Sequence, residues 1–293
     1  MPNLKEVRSR ITSVNSTQQI TKAMKMVAAA KLRRAQDAIV QMRPYASKLK
    51  EILENVAESV DTSGNGIYTV ERPANKVLLV AVTSNRGLAG AFNSNIIRTV
   101  NRLLMNEYQQ HAKEGNVKVL AIGKKASDYF SKKPGLYAGE HNDVYGNLDF
   151  SSVSSIAEGV MEQFATGEYD KVYVIYNQFK NAAVQNVITE QLIPIAPPEK
   201  NEEKTNVNDY IFEPSQEQIV LELIPKSIKV QLYKAVLDSH ASEHGARMTA
   251  MSKATDNAGE LLKELRLQYN KARQAAITGE ILEIVAGAEA LKG

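Results

Sequence analysis

A single heptad frame fits the chain from Leu4 to Val60. One position of the repeat is occupied by Leu4, Ile11, Gln18, Lys25, Leu32, Ile39, Ala46, Leu53 and Val60, and the other by Val7, Val14, Thr21, Ala28, Ala35, Met42, Leu49 and Val56. Residues spaced alternately three and four apart form one stripe of a helix, which another helix must cover. At ~1.5 Å per residue this helix would be roughly 85 Å long. Pro44 lies in phase within the pattern and predicts a kink rather than an end.

A second stripe runs from Val230 to Ala276 near the other end of the chain. Its members are Val230, Tyr233, Leu237, Ala241, His244, Met248, Met251, Thr255, Ala258, Leu262, Leu265, Tyr269, Ala272 and Ala276. The two stripes are natural partners, and helices that attach to the same intervening domain pair antiparallel. This helix resumes near Pro214-Ser215, and Pro225 is either a kink or the first turn of a restarted helix.

The middle of the chain alternates short apolar runs with helical segments, which is typical of an α/β domain with a mostly parallel sheet. The predicted strands are 76–82, 117–122, 171–176 and 183–192. The predicted helices are 91–109, 124–130 and 152–164, and the last of them has Ser151 or Ser152 as its N-cap. The segment 134–147 is predicted to be a loop. Turn-forming residues at 61–66 end the first helix.

The predicted fold is a Rossmann-like α/β domain inserted between two helices of a long antiparallel coiled coil. Residues 1–60 and 214–293 form the discontinuous coiled-coil shaft, and residues 75–195 form the α/β foot. The charged, proline-bearing stretch 196–213 is predicted to be a mobile connecting loop.

Composition excludes several classes of protein. No run of about 18 apolar residues could cross a membrane. The amino-terminal residues lack the apolar core of a secretory signal, and a transit peptide is not expected because the heptads begin at once. The chain has no cysteine, so disulfides and thiolate chemistry are excluded and a cytoplasmic compartment is expected.

Charge is distributed unevenly along the chain. Residues 1–50 hold eleven Lys and Arg but only two acids, a net charge of +9, so the remainder carries −6. A basic helix indicates an acidic partner, which leaves open phosphate, lipid headgroups and acidic protein. One alternative is a solvated face, and another is a nucleic-acid-binding coiled-coil protein, although few aromatic residues lie among these cations for base stacking.

The apolar stripes of the two helices are called here their seams, and the first seam is interrupted at one level. In the first helix the seam turns polar at Gln18, Thr21 and Lys25, while apolar residues appear on another face at Ile20, Met24 and Val27. This pattern predicts contact with a third body, or else a local change in helix crossing. Past Ala276 the chain is apolar on several faces, and such a helix end needs a hydrophobic socket.

No motif nominates a catalytic site. The turn 83–90 has the strand–turn–helix topology of a nucleotide-binding loop but neither glycine signature, which favours a structural turn or a partner contact and weakens the hypothesis of a dinucleotide enzyme. His240 and His244 have metal-chelating spacing without an evident third ligand. No nucleophile with its base is apparent, so no cofactor, metal or catalytic residue is predicted.

Several segments resemble one known family. They are Ile20–Ala28, Arg43-Pro44-Tyr45, Ser84–Gly90, Ala246–Met251, Ala254–Ala258 and Tyr269–Thr278. These segments are similar to the gamma subunit of F-type ATP synthase in its bacterial form, strongly at both helical ends and loosely in the middle domain. Pro225 is a departure from that pattern.

The resemblance implies a non-catalytic rotor of the F1 sector, CF(1), at the cytoplasmic face of the inner membrane. Its shaft would stand in the α3β3 hexamer, and its foot, with the epsilon subunit, would sit on the ring of c subunits. Hydrogen ion transport would turn the ring and shaft together, and ATP synthesis would occur on the β subunits. The family's contacts to β subunits fall on Lys22, Met24, Lys25, Arg273 and Gln274. Ile277, Ile281, Leu282 and Val285 would lie in the hydrophobic sleeve of the hexamer.

Overall fold

A computed structural model describes residues 4–59, 67–69, 71–195 and 216–290. The predicted turn at 61–66, the loop predicted for 196–213 and the predicted helix start at Pro214-Ser215 lie outside these residues. The chain divides into two compact units. Residues 1–29 and 247–293 form the first, called here the helix-pair unit, and residues 30–246 form the second, called the sheet unit.

Two helices contribute residues to both units. The first, α1, spans Leu4–Ser59 with Pro44 inside it. The last, α6, spans Gln216–Ala290. Pro225 lies within α6 rather than at its first turn, so the alternative of a helix restarted at Pro225 is wrong. An interior proline removes one backbone hydrogen bond, and the remaining bonds of a long helix hold the segment.

In the helix-pair unit the two helices run antiparallel. Gln18 lies against Gly259, Thr21 against Thr255 and Lys25 against Ser252, so numbering rises on one helix as it falls on the other. The buried seam residues of this unit are Val7, Thr21, Ala28, Met251, Ala258, Leu262 and Leu265. The antiparallel pairing predicted from the two apolar stripes is therefore confirmed.

The sheet unit holds five strands in the order β3-β2-β1-β4-β5. The strands are β1 Val77–Val82, β2 Val117–Ile122, β3 Tyr137–Glu140, β4 Lys171–Phe179 and β5 Gln185–Ile193. The first four are parallel, and β5 pairs antiparallel with β4 at an edge. The four predicted strands exist, but β3 lies within the segment 134–147 that was predicted to be a loop. Four residues of edge strand with a central glycine lack the apolar run that marked the others.

Helices cover both faces of this sheet. They are α2 Phe92–Asn106, the short α3 Gln109–Lys113, α4 Lys124–Phe130 and α5 Phe150–Ala165. Val77, Leu79 and Ala81 pack against α2 and α4. Leu78, Val80 and Val82 face the opposite layer, which is built from α5 and from residues 224–236 of α6.

The predicted N-cap of α5 is wrong. Asp149, rather than Ser151 or Ser152, caps this helix, because its carboxylate accepts the Ser152 amide N–H at 2.8 Å. Hydrogen bonds from this amide and from the Ser152 hydroxyl lower the pKa of Asp149. A carboxylate at this position also suits the positive end of the helix dipole.

Candidate partner-binding surfaces

The predicted break in the first seam lies in the helix-pair unit. The hydroxyl oxygens of Thr21 and Thr255 are 2.8 Å apart, and the Gln18 amide donates to the Thr255 carbonyl at 3.5 Å. Gly259 makes room for Gln18, since a Cβ there would lie 3.0 Å from Nε2. Polar groups therefore replace apolar packing at this level and bond across the two helices.

Lys25 does not occupy the seam, and this part of the heptad frame is wrong. Its side chain is exposed, and its ammonium donates to the Ser252 hydroxyl at 2.9 Å. Met24 is half-buried in its place, because steps of three and of four residues both keep a helix stripe continuous. Lys22 is exposed to solvent.

The apolar residues beside this break do face water, as predicted, with one exception. Ile20 and Val27 are exposed and lie seven residues apart, on the same side of α1. Met26 is also exposed, whereas Met24 is half-buried. Large apolar side chains in a row on a helix that already has one covered stripe mark a candidate contact surface.

The five predicted β-subunit contacts fall into two separate groups. Arg273 and Gln274 are exposed on α6, while Lys22, Met24 and Lys25 lie on α1 opposite Ser252. Ser252 and Arg273 are 21 residues apart on one helix, which corresponds to ~32 Å along the helix axis. The structure therefore does not bring the two groups together, and each would require its own partner surface.

The carboxyl end of α6 is apolar and exposed. Leu265 is the last buried seam residue, Tyr269 and Ala272 are half-buried, and Ala276, predicted to belong to the seam, is exposed. The four predicted sleeve residues, Ile277, Ile281, Leu282 and Val285, are all exposed. Ile284, within the same apolar segment, is exposed as well and sits seven residues from Ile277. Water-exposed aliphatic side chains on successive turns favour burial against a partner.

The turn 83–90 of the sheet unit satisfies its own polar groups. The Ser84 amide donates to the Asn93 side chain at 2.9 Å, and the Ser84 hydroxyl donates to the Arg86 carbonyl at 2.7 Å. The Lys124 amide donates to the Asn85 side chain at 2.9 Å. The Ser84 amide at the start of the turn therefore already has an acceptor within the protein, as expected for a structural turn.

The carboxyl ends of the central strands are where doubly wound sheets hold nucleotides. Here α6 occupies that position: the buried Ser242 hydroxyl donates to the Asn177 carbonyl at 2.9 Å, and a Cβ at Gly245 would lie 3.2 Å from the Ala182 backbone. The carboxyl end of β4 is therefore covered by α6.

The two histidines of α6 that have metal-chelating spacing lie against each other. The Nε2 atoms of His240 and His244 are 3.1 Å apart, and His240 stacks on Tyr145 with ring centroids 5.9 Å apart. Among the described residues, no group of three or more His, Asp or Glu is arranged to hold a metal ion. The same residues include no helix with the length and hydropathy needed to span a membrane.

Comparisons with known proteins agree with the likeness seen in the sequence. A family model described as ATP synthase matches residues 3–291. The ATP synthase gamma chain of Flavobacterium johnsoniae is 60% identical over 293 residues and matches over 100% of both chains. That of Cytophaga hutchinsonii is 55% identical, with 99% of each chain covered.

Solved structures give the same family and fold. The central stalk and c-ring structure of Tetrahymena thermophila mitochondrial ATP synthase contains a chain with 30% identity and a TM-score of 0.61, covering 80% of this chain and 99% of that one. A chain of the Euglena gracilis mitochondrial enzyme, at 24% identity and a TM-score of 0.69 over 98% of this chain and 94% of that one, shares the fold. None of these matches supports the nucleic-acid-binding alternative. On this evidence the chain belongs to the family of ATP synthase gamma chains.

Proposed function

We propose that this chain is the non-catalytic central-stalk subunit of the F1 sector of a proton-translocating ATP synthase. It would transmit torque between the membrane ring of c subunits and the catalytic β subunits. The observation that carries this proposal is the antiparallel pairing of the two ends of the chain, bonded across the helices at Thr21 and Thr255. Two helices that bond to each other resist twisting better than one alone, which is what a shaft requires.

In this proposal residues 1–60 and 214–293 form the shaft and residues 75–195 form the foot. The partners are the α3β3 hexamer around the shaft, and the epsilon subunit and the c-subunit ring at the foot. The chain would reach the cytoplasmic face of the bacterial inner membrane as a peripheral part of this complex. No bound cofactor is required, because the nucleotide sites lie on partner subunits.

The surfaces of the helix-pair unit support two contacts with the hexamer. Exposed Lys22 and Arg273 offer positive charge to acidic loops of β, and Gln274 offers a polar side chain. The apolar end containing Ile281 and Val285 would be covered by the hydrophobic sleeve. At about 25 cal/mol per Å² of apolar surface, burying these aliphatic side chains favours seating by a few kcal/mol.

Rotation in the assembled complex tests the function directly. The natural chain has no cysteine, so Val184→Cys, on an exposed loop of the foot, gives a unique site for attaching a bead. We expect ATP to drive continuous rotation of this bead in the immobilised complex. ATP turnover that does not need the chain, or a bead that stays still while ATP is hydrolysed, would contradict the proposal.

A second experiment tests the apolar end. The double variant Ile281→Asp/Val285→Asp should weaken assembly with the hexamer at least tenfold, because two charges would have to enter an apolar socket. Glu280→Gln and Glu283→Gln on the same turns are the matched controls and should assemble normally. Normal assembly of the aspartate variant would exclude a demanding socket.

Reversing Lys22, Lys25 and Arg273 to Glu should uncouple ATP turnover from rotation, and unchanged coupling would exclude an electrostatic contact there.

A further inference from the structure

Charge in the sheet unit is segregated along the sequence. Residues 86–133 contain nine Lys and Arg against three Asp and Glu, whereas residues 134–195 contain eight Asp and Glu against two Lys. The helices of the two stretches lie on opposite faces of the sheet, although Glu140 of the acidic stretch accepts a hydrogen bond from the Ser127 hydroxyl of α4. Helices α2 and α4 of the basic stretch pack on the face of Leu79, and α5 of the acidic stretch packs on the face of Val80.

The outer surface of α2 and α4, with the two residues that follow α4, is exposed and is called here the cationic face. Arg98 and Arg102 lie one turn apart on α2, and Lys132 lies two residues past the end of α4; all three are exposed. Asn101 joins the two helices, because its amide donates to the Tyr129 hydroxyl at 3.0 Å. Lys133 lies over the Tyr129 ring, 4.8 Å from its centroid.

These cations have little internal compensation. Within the part of the chain that the structure describes, the ion pair on this face is Lys125 with Asp128 at 3.8 Å. Arg102 and Lys132 have no described carboxylate within 4 Å. Exposed like charges repel and attract an acidic ligand over roughly the 8–10 Å Debye length at physiological salt.

The face also carries apolar surface next to its charge. The Met105 side chain is 68% exposed and follows Arg102 on the same side of α2. Tyr129 is exposed between the two helices. Aromatic, methionine and arginine side chains together are the composition enriched in protein–protein interfaces, whereas free phosphate would use the charges alone.

We propose that the cationic face is a docking surface for an acidic protein segment of another subunit. The inference relies on the proposed function only in placing this chain in a multi-subunit assembly. Helix α5 on the other face carries exposed Glu158 and Glu162 and no Lys or Arg, so it offers less favourable charge to such a segment. The partner segment therefore binds one side of the foot, and complementary charge fixes which side.

Photo-crosslinking in the assembled complex tests this docking. Because the natural chain lacks cysteine, Met105→Cys carries a single benzophenone-maleimide probe, and Val184→Cys, which is 44% exposed at the β4–β5 loop, is the matched control. We expect the probe at residue 105 to crosslink at least fivefold more than the control, to a peptide of another subunit with an excess of Asp and Glu. Raising the salt concentration before illumination should lower the yield, because exposed charge pairs are screened.

Two double variants test whether the charge of the cationic face, rather than its shape, holds the partner segment. In the Met105→Cys background, Arg102→Glu/Lys132→Glu should lower the crosslink yield at least tenfold, while Arg102→Lys/Lys132→Arg should preserve it. The proposal is overturned if the yield matches the Val184 control, if the probe captures lipid or a peptide without excess acid, or if reversal changes nothing. Bead rotation on the same variants reports separately on the rotor function, so either idea can fail alone.

Discussion

Asp238 gives the sheet unit a buried carboxylate that should destabilise it at neutral pH. Asp238 is only 4% exposed, and the Oδ1 atom of its side chain has no hydrogen-bond partner among the described residues. Burial is the largest cause that raises the pKa of Asp238 to about 6, with Glu190 acting in the same direction and Lys234 and Arg43 opposing it. A carboxyl group that prefers to be neutral in the folded state costs stability whenever it is ionised.

The magnitude follows from the linkage between protonation and folding. The folded pKa lies about 2 above the usual value of 3.8, so ionisation of Asp238 costs ~3 kcal/mol at pH 8 at ~1.4 kcal/mol per pKa unit. The cost grows as pH rises from 3.8 to 6 and is constant above that range, since both states are then ionised. At pH 4 it shrinks to ~0.5 kcal/mol.

Asp238→Asn should therefore raise the free energy of unfolding of the full chain at pH 8 by ~1–3 kcal/mol, or several degrees in Tm. The gain could be as small as ~1 kcal/mol, because the buried side-chain amide of the Asn variant would itself lack hydrogen-bond partners. Thermal unfolding followed by circular dichroism at pH 8 and pH 4 measures the change. Asp128→Asn is the control, because Asp128 is exposed and its pair with Lys125 is long. An equal effect of Asp238→Asn at both pH values, or a loss of stability at pH 8, would refute this reasoning.

Two further substitutions test packing and backbone geometry. Leu262→Ala should destabilise the helix-pair unit by ~2–4 kcal/mol in urea unfolding, because the residue is 5% exposed. The neighbouring Leu261→Ala, at 44% exposure, should change stability by less than ~0.5 kcal/mol, and similar values for the two would exclude the observed seam. Gly123→Ala should prevent accumulation of folded chain, since its Cβ would lie 2.1 Å from the Thr83 carbonyl oxygen. Gly115→Ala, also at positive φ but with open space around it, should cost only ~1 kcal/mol, and folding of both variants to the same yield would contradict this account.

Helix seams were predictable because their information is local. Every predicted α1 position from Leu4 to Leu49 is buried or half-buried except Lys25. From Thr21 a step of three residues leads to Met24 and a step of four leads to Lys25. Spacing alone could not decide between them, because both steps are allowed on a helix stripe. The apolar character of Met24 was the available signal.

The middle of α6 was harder to predict because its environment is tertiary. A single stripe was expected there, yet Ser239, Ser242 and Glu243, off the predicted stripe, are all buried. In the sheet unit this segment packs against the sheet as well as lying beside other helices, so nearly every side of it is covered. A helix buried all round is recognised by uniform apolarity, and these polar residues removed that signal.

The candidate surfaces also differ in whether the sequence alone could predict them. Ile20, Val27 and Ile281 could be found from the sequence because they are apolar residues that the helix seams leave over, and the structure exposes all three. The cationic face could not be found in this way, because Arg102 and Lys132 belong to different parts of the chain, and α2 and α4 come to the same side only when the sheet forms. A surface made by one periodic element is visible in its periodicity. A surface made by several elements requires their order in the sheet, and here that order depends on β3, the strand with no sequence signal.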